Sequence, residues 1–493
     1  MDIKRAKKEI KNTIEAYLMK DEYGEYCIPA IRQRPVLLMG PPGVGKTQIM
    51  EQIAKECKIG LVAYTITHHT RQSAVGLPFI KEKEYGGKQF SVTEYTMSEI
   101  IASVYEKMEQ TGMKEGILFI DEINCVSETL APTMLQFLQG KTFGNQKVPE
   151  GWVIVAAGNP PEYNKSVRDF DVVTLDRLKR IDVSANFEVW KEYAYKQEIH
   201  PAVISYLELR KQNFYRVETT ADGKLFATAR GWEDLSQLIH VYEKLGKKVD
   251  RDVVYQYIQY PKIAKDFANY LELYYKYRTD YGVEDILEGK WSTLTLQKLK
   301  NSPLDEHLSV ISLLNGRVSE LFRNCFKTDD YITKLYEFMT YYREHQVLPA
   351  EEIFRKAKKK MEQLEQAELL SVKERKTWKR VIDFLEKAAM KPDEDNYESV
   401  KSAFEAEVAQ LEQMTEQASV VLQNVFDFLE EAFGESQEMV FFITELNSNS
   451  YSMWFIQENG SDQYFRHNKG LLFDQRQKTI LGEMDEIENL LIN

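Results

Sequence analysis

Two short stretches carry residues whose types and spacing can do chemistry on a phosphate. The first, Gly40-Pro41-Pro42-Gly43-Val44-Gly45-Lys46-Thr47-Gln48, follows the apolar run PVLLM and precedes the helical-looking EQIAKECK. Glycine lets a backbone without Cβ curl around an anion, and the following helix adds roughly half a positive charge at its N-terminus. The spacing Gly40-x-x-x-x-Gly45-Lys46-Thr47 is that of a nucleotide-binding loop. On this reading Lys46 reaches the terminal phosphates and the Thr47 hydroxyl ligates the magnesium bridging them.

The second stretch is Ile117-Leu118-Phe119-Ile120-Asp121-Glu122, a buried-strand pattern ending in two carboxylates. A phosphate loop that hydrolyses its ligand needs a carboxylate for the metal and a group for the water. Asp121 fits the first task, and Glu122 would orient or deprotonate the attacking water. A third candidate is Asn159, which follows the strand pattern Trp152–Ala157 and Gly158. A polar side chain at the C-terminal edge of an open α/β sheet can hold the lytic water or touch the γ-phosphate. The guanine-reading pattern NKxD is missing, because Asn164-Lys165-Ser166-Val167 has valine where aspartate is required. Adenine is the expected base, and ATP with Mg2+ the expected ligands.

These groups need a scaffold. Up to about Val183, β-rich runs alternate with helical patterns, which predicts an α/β fold with a parallel sheet covered by helices. The expected strands are Pro35–Met39, Gly60–Ile66, Ile117–Asp121, Trp152–Ala157 and Arg180–Val183. The long link between the second and third alternates around Tyr85-Gly86-Gly87-Lys88, predicting an inserted hairpin at about 76–95. After about Phe187 helices are expected to dominate, with HPAVISYLELRK, ARGWEDLSQLIHVYEKLG and IAKDFANYLELYYKYR all showing three- and four-residue apolar steps. Gly282 and Gly289 suggest a boundary near 290. Beyond it, the stripe Phe354, Ala357, Met361, Leu364 and the stripe Phe404, Val408, Leu411, Met414, Ala418, Leu422 predict packed antiparallel helices without chemistry of their own. The segment EMVFFITELNSNSYSMWFI is too apolar for water and should dock on the rest or on a partner.

With 493 residues the chain exceeds what one core usually serves. A formal charge of −13 argues against a nucleic-acid partner, which is held by clustered Lys and Arg. Four scattered cysteines form no CxxC pair, as a reduced compartment would allow. No apolar run reaches bilayer-spanning length, and the opening MDIKRAKKEIKNTIEAYLMKDE reads as an amphipathic helix and not as a signal peptide. A cytoplasmic protein without membrane partners is expected.

The ordered set GPPGVGKT, the insertion beginning GLPFI, ILFIDEIN, VAAGNPPEYNKSVRDFDVVTLDR and TARGWEDLSQL resembles a MoxR-type AAA+ ATPase of the helix-2-insert clade, the kind that works beside a von Willebrand factor A domain protein. The resemblance covers residues about 30–290. It implies an AAA+ core at 31–190 after an N-terminal helix at 1–30, a helical lid at 191–290, and hexameric rings that remodel or activate a partner; helical pattern alone makes 291–493 an all-α C-terminal domain. By position Asn159 resembles sensor 1, Arg177 the arginine finger and Arg230 sensor 2. The family more often reads LDRF where Leu178 stands here, which leaves Arg180 as the alternative finger. Two other functions are compatible with a nucleotide site: a nucleotide-gated scaffold with slow turnover, and a DNA-associated motor.

Three further features are read as structural. His68-His69 point in different directions and have no ligand partner at suitable spacing. Cys125 is expected to be a small core residue, and the tyrosines of YLELYYKYRTDY to fill a core or a subunit contact. The loop Gly140–Gln146 resembles the second hairpin of the clade.

Overall fold

The computed structural model describes residues 1–68, 74–143, 146–163, 170–221, 223–366, 370–390 and 397–469. By its internal contacts the chain divides into two units, Met1–Val189 with Glu362–Leu370, and Trp190–Met361 with Ser371–Asn493.

The first unit opens with α1 (Ile3–Leu18) and continues with β1 (Val36–Met39), α2 (Lys46–Cys57), β2 (Gly60–Thr65), the pair β3 (Pro78–Tyr85) and β4 (Lys88–Tyr95), α3 (Glu99–Thr111), β5 (Gly116–Asp121), α4 (Ala131–Gly140), the short pair β6 (Thr142–Phe143) and β7 (Gln146–Lys147), β8 (Trp152–Gly158), α5 (Val172–Leu175) and β9 (Lys179–Asp182). Five strands form a parallel sheet in the order β2-β5-β8-β1-β9. Its inner strands are near-continuous apolar runs because both faces are covered. Alternate residues divide between two cores: Val36, Leu38, Ile117, Phe119, Val153 and Val155 pack with α1 and α2, whereas Leu37, Leu118, Ile120, Ile154 and Ala156 pack with α3 and α4. This is the period of two expected of a strand.

All five expected strands are present, each within one residue of the expected ends. The N-terminal helix is amphipathic, and its Ala6, Ile10 and Ile14 belong to the core shared with α2. The inserted hairpin turns at Gly86 and Gly87, with φ of +59° and +78°, the positive pair that a two-residue turn demands. The second expected hairpin is the β6–β7 pair; Gly144 and Asn145 at its tip lie outside the described residues.

In the second unit, α6 (Phe187–Lys196, begun in the first unit), α7 (Pro201–Leu209), β10 (Arg216–Thr220), β11 (Gly223–Ala227), α8 (Ala229–Lys244), α9 (Arg251–Tyr257), α10 (Pro261–Asp280), α11 (Val283–Leu287) and α12 (Thr293–Lys300) lead to the long α13 (Leu304–Glu344). Then follow α14 (Ala350–Gln366), α15 (Val372–Ala389), α16 (Tyr397–Phe433), α17 (Gln437–Ser448) and α18 (Ser450–Asn459). The antiparallel hairpin β10–β11 interrupts a region where helices are expected to dominate; five-residue strands are too short for their alternation to stand out against flanking helical periodicity. The expected boundary near 290 does not separate these units. Gly282 and Gly289 are turns with φ of +57° and +77°, and α10, α11 and α12 all pack on α13 or α16. Apolar α17 and α18 also dock on α13, with the rings of Phe322 and Phe455 stacked at 4.1 Å. Tyr270 and Tyr274 are core residues. Among the described residues no helix is long and apolar enough to cross a membrane.

Candidate active site

Parallel strands that end together make one edge of the sheet a platform. β1 runs into the glycine-rich loop, β5 ends in Asp121, and β8 ends in Gly158 just before Asn159. Gly40 opens the loop against Val183: a Cβ there would meet the Val183 carbonyl oxygen at 3.0 Å. Gly43 and Gly45 take φ of +77° and +89°, the left-handed region that side chains disfavour. The loop therefore curls back, and α2 begins at Lys46 with its N-terminal amides at the platform. Pro41 is buried, Pro42 and Val44 half-buried, and Gln48 exposed on the first turn of α2.

Lys46 is 8% exposed. Its Nζ donates to the carbonyls of Gly40 at 2.7 Å and Pro41 at 2.9 Å, and to Asn159 Oδ1 at 2.8 Å. One ammonium thus joins the loop to the end of β8. Thr47 Oγ1 donates to Asp121 Oδ2 at 3.1 Å. These two hard oxygen donors, side by side on the first turn of α2 and the tip of β5, suit a divalent cation of the magnesium type, which prefers oxygen and keeps waters. Glu122 adopts φ +58°, a costly conformation for a residue with a Cβ and one concentrated at functional sites. That turn separates the two carboxylates. Asp121 Oδ1 accepts from the Glu122 amide at 2.9 Å, while Glu122 Oε2 accepts from Thr67 Oγ1 at 3.0 Å.

Two of these contacts were not anticipated. Asn124 is 2% exposed and clamps Asn159: its Nδ2 donates to the Asn159 carbonyl at 2.8 Å and its Oδ1 accepts the Asn159 amide at 3.2 Å. Gly158 permits this approach, since a Cβ there would lie 2.6 Å from Asn124 Oδ1. Thr67, just past β2, holds Glu122. An asparagine following an apolar strand is the one available signal for the first; nothing local marks the second.

The arginines lie elsewhere. β9 pairs with β1 from Val36↔Lys179 to Met39↔Asp182, so Arg177 precedes the edge where the strands begin, opposite the platform. Four residues of strand separate the two edges by about 13 Å. Arg177 is exposed and its Nη1 donates to Gln139 Oε1. Arg180, on β9, is committed to the Asp182 carboxylate two residues on, at 2.9 Å. Arg230 belongs to the second unit, exposed at the second position of α8, whose start is capped by the Thr228 side chain. Cys125 is half-buried, and His69 and Asn164–Val167 lie outside the described residues.

No curated protein matches the chain. Among solved structures, one described as a "putative ATPase" from Cytophaga hutchinsonii ATCC 33406 is matched at 18% identity and a TM-score of 0.22, over 37% of this chain and about half (51%) of that one. Residues 36–178, from the first residue of β1 to the residue before β9, match the profile of the ATPase family associated with various cellular activities (AAA), and the chain carries an AAA ATPase domain there.

Proposed function

We propose that this protein is a MoxR-type AAA+ ATPase that hydrolyses Mg-ATP at the subunit interfaces of a ring, hexameric by family resemblance, and remodels or activates a partner, for which a von Willebrand factor A domain protein is the first candidate. The observation that carries the reading is the pairing of Thr47 with Asp121 beside Lys46, and Glu122 set apart from them by its left-handed turn. Backbone amides of the loop and the Lys46 ammonium bind the phosphates, and Thr47 and Asp121 would hold Mg2+, which neutralises charge on the phosphate oxygens. Glu122 orients or deprotonates the water, with Asn159 as sensor 1. Arg177 stands at the sheet edge opposite its own loop, which supports a role in a neighbour's site: a guanidinium entering from a second copy would stabilise charge on the γ-phosphate and make hydrolysis depend on assembly. The Arg180–Asp182 pair favours Arg177 over Arg180 for that task. Arg230 is proposed as sensor 2, and the cytoplasm as the compartment.

The test is Glu122→Gln. Turnover should fall by about 10²–10⁴-fold while nucleotide binding persists. Unchanged hydrolysis would remove Glu122 from the chemistry, and partner activation that survives in this variant would favour a nucleotide-gated scaffold.

A further inference from the structure

The β3–β4 hairpin belongs to neither core of the first unit. Seven of the eight residues of β3 and six of the eight of β4 are exposed. An isolated two-stranded hairpin is marginal in water, and this one also exposes Phe79, Ile80, Tyr85, Phe90 and Tyr95.

Its register sorts charge by face. Directly opposed residues share a face, and the pairs Phe79↔Glu94, Lys81↔Val92, Lys83↔Phe90 and Tyr85↔Lys88 put three lysines, three aromatic rings and one carboxylate on one side. Lys83 and Lys81 both bridge Glu94, the latter at 3.7 Å, so three cations against one anion leave that face at +2. The pairs Pro78↔Tyr95, Ile80↔Thr93, Glu82↔Ser91 and Glu84↔Gln89 make the reverse face, with two carboxylates and no cation, at −2.

We propose that this hairpin is a contact between copies of the chain, the cationic aromatic face of one hairpin seated on the anionic face of the next. The inference rests on the ring reading above and deepens it. Two complementary faces back to back make a heterologous contact, which closes into a ring when the rotation per copy allows. In a closed ring every copy has both faces covered; a client peptide on one face leaves the other in water.

The test uses the full chain with Mg-ATP, its assembly followed by sedimentation velocity, and two variants. Lys81→Glu/Lys83→Glu/Lys88→Glu makes both faces anionic, and Glu82→Lys/Glu84→Lys makes both cationic. Nucleotide binding by each variant verifies that the first unit is folded. Alone, each should need on the order of tenfold or more higher concentration to assemble, because like charges meet. Mixed in equal amounts, they should assemble close to wild type, since every contact is again opposite in sign. Variants that assemble normally, or a mixture of folded variants that does not recover, would overturn the hairpin contact and leave the ATPase reading standing. A wild-type chain that stays monomeric with Mg-ATP would overturn both.

Discussion

Asn124 holds Asn159, 35 residues away, by two hydrogen bonds: its side-chain amide donates to the Asn159 carbonyl and accepts from the Asn159 N–H. The consequence reaches Lys46, because Asn159 Oδ1 accepts from its ammonium. Asn124 thereby positions a residue that the lysine of the phosphate loop also holds. Asn124→Ala should leave the half-buried amide and carbonyl of Asn159 without these partners, costing roughly 1 kcal/mol, and should lower turnover more than nucleotide affinity. Thermal unfolding and steady-state kinetics measured together check this. An equal loss in affinity and turnover would mean that Asn124 supports the loop as a whole.

Thr67 restrains Glu122. That hydrogen bond occupies Oε2 and turns the carboxylate toward Thr67. Thr67→Val keeps the shape and removes the donor, so ATP turnover should rise severalfold at unchanged nucleotide affinity. A fall in turnover would show that the threonine aims the carboxylate and does not restrain it.

In the second unit Glu198 takes φ +61° and faces Lys327 at 2.9 Å, Lys373 at 3.3 Å and Arg323 at 3.9 Å. Burial alone pushes its pKa up, but Lys327, Arg323 and Lys373 outweigh burial and bring it down to about 2. A carboxyl with a depressed folded pKa adds stability that is fully present above its unfolded value near 4.5 and is lost as the pH falls toward 2. Glu198→Gln should therefore destabilise the protein at pH 7, by about 1–3 kcal/mol given partial exposure. Urea denaturation from pH 7 down to about pH 3.5 should show the gap between wild type and variant narrowing. A gap that is constant with pH would assign the loss to the left-handed backbone instead.

Much of this site was legible before the fold. Strand patterns, loop spacing and the Asp121-Glu122 pair are local, and each rests on a rule of backbone geometry or phosphate chemistry. Asn124 and Thr67 escaped because their partners are set by strand pairing: Asn124 meets Asn159 only after β5 and β8 align from Gly116↔Trp152, and Thr67 meets Glu122 only because Thr65 lies opposite Asp121. The long α13 escaped for a different reason. It contacts α7, α10, α15, α16, α17 and α18, so its apolar residues surround the axis and leave no single stripe at a 3.6-residue period. The same helix packs with elements on both sides of position 290.

In the proposed ring, the pocket built on Lys46 and Asp121 is completed by Arg177 of a second copy. The direct measurement is ATP turnover of Lys46→Ala and Arg177→Ala chains, alone and mixed, with Arg180→Ala alongside. Each of the first two should be inactive alone, and an equal mixture should regain about a quarter of wild-type turnover, the share of ring interfaces where an intact loop meets an intact arginine. Full activity in isolated Arg177→Ala monomers, with Arg180→Ala equally active, would contradict it.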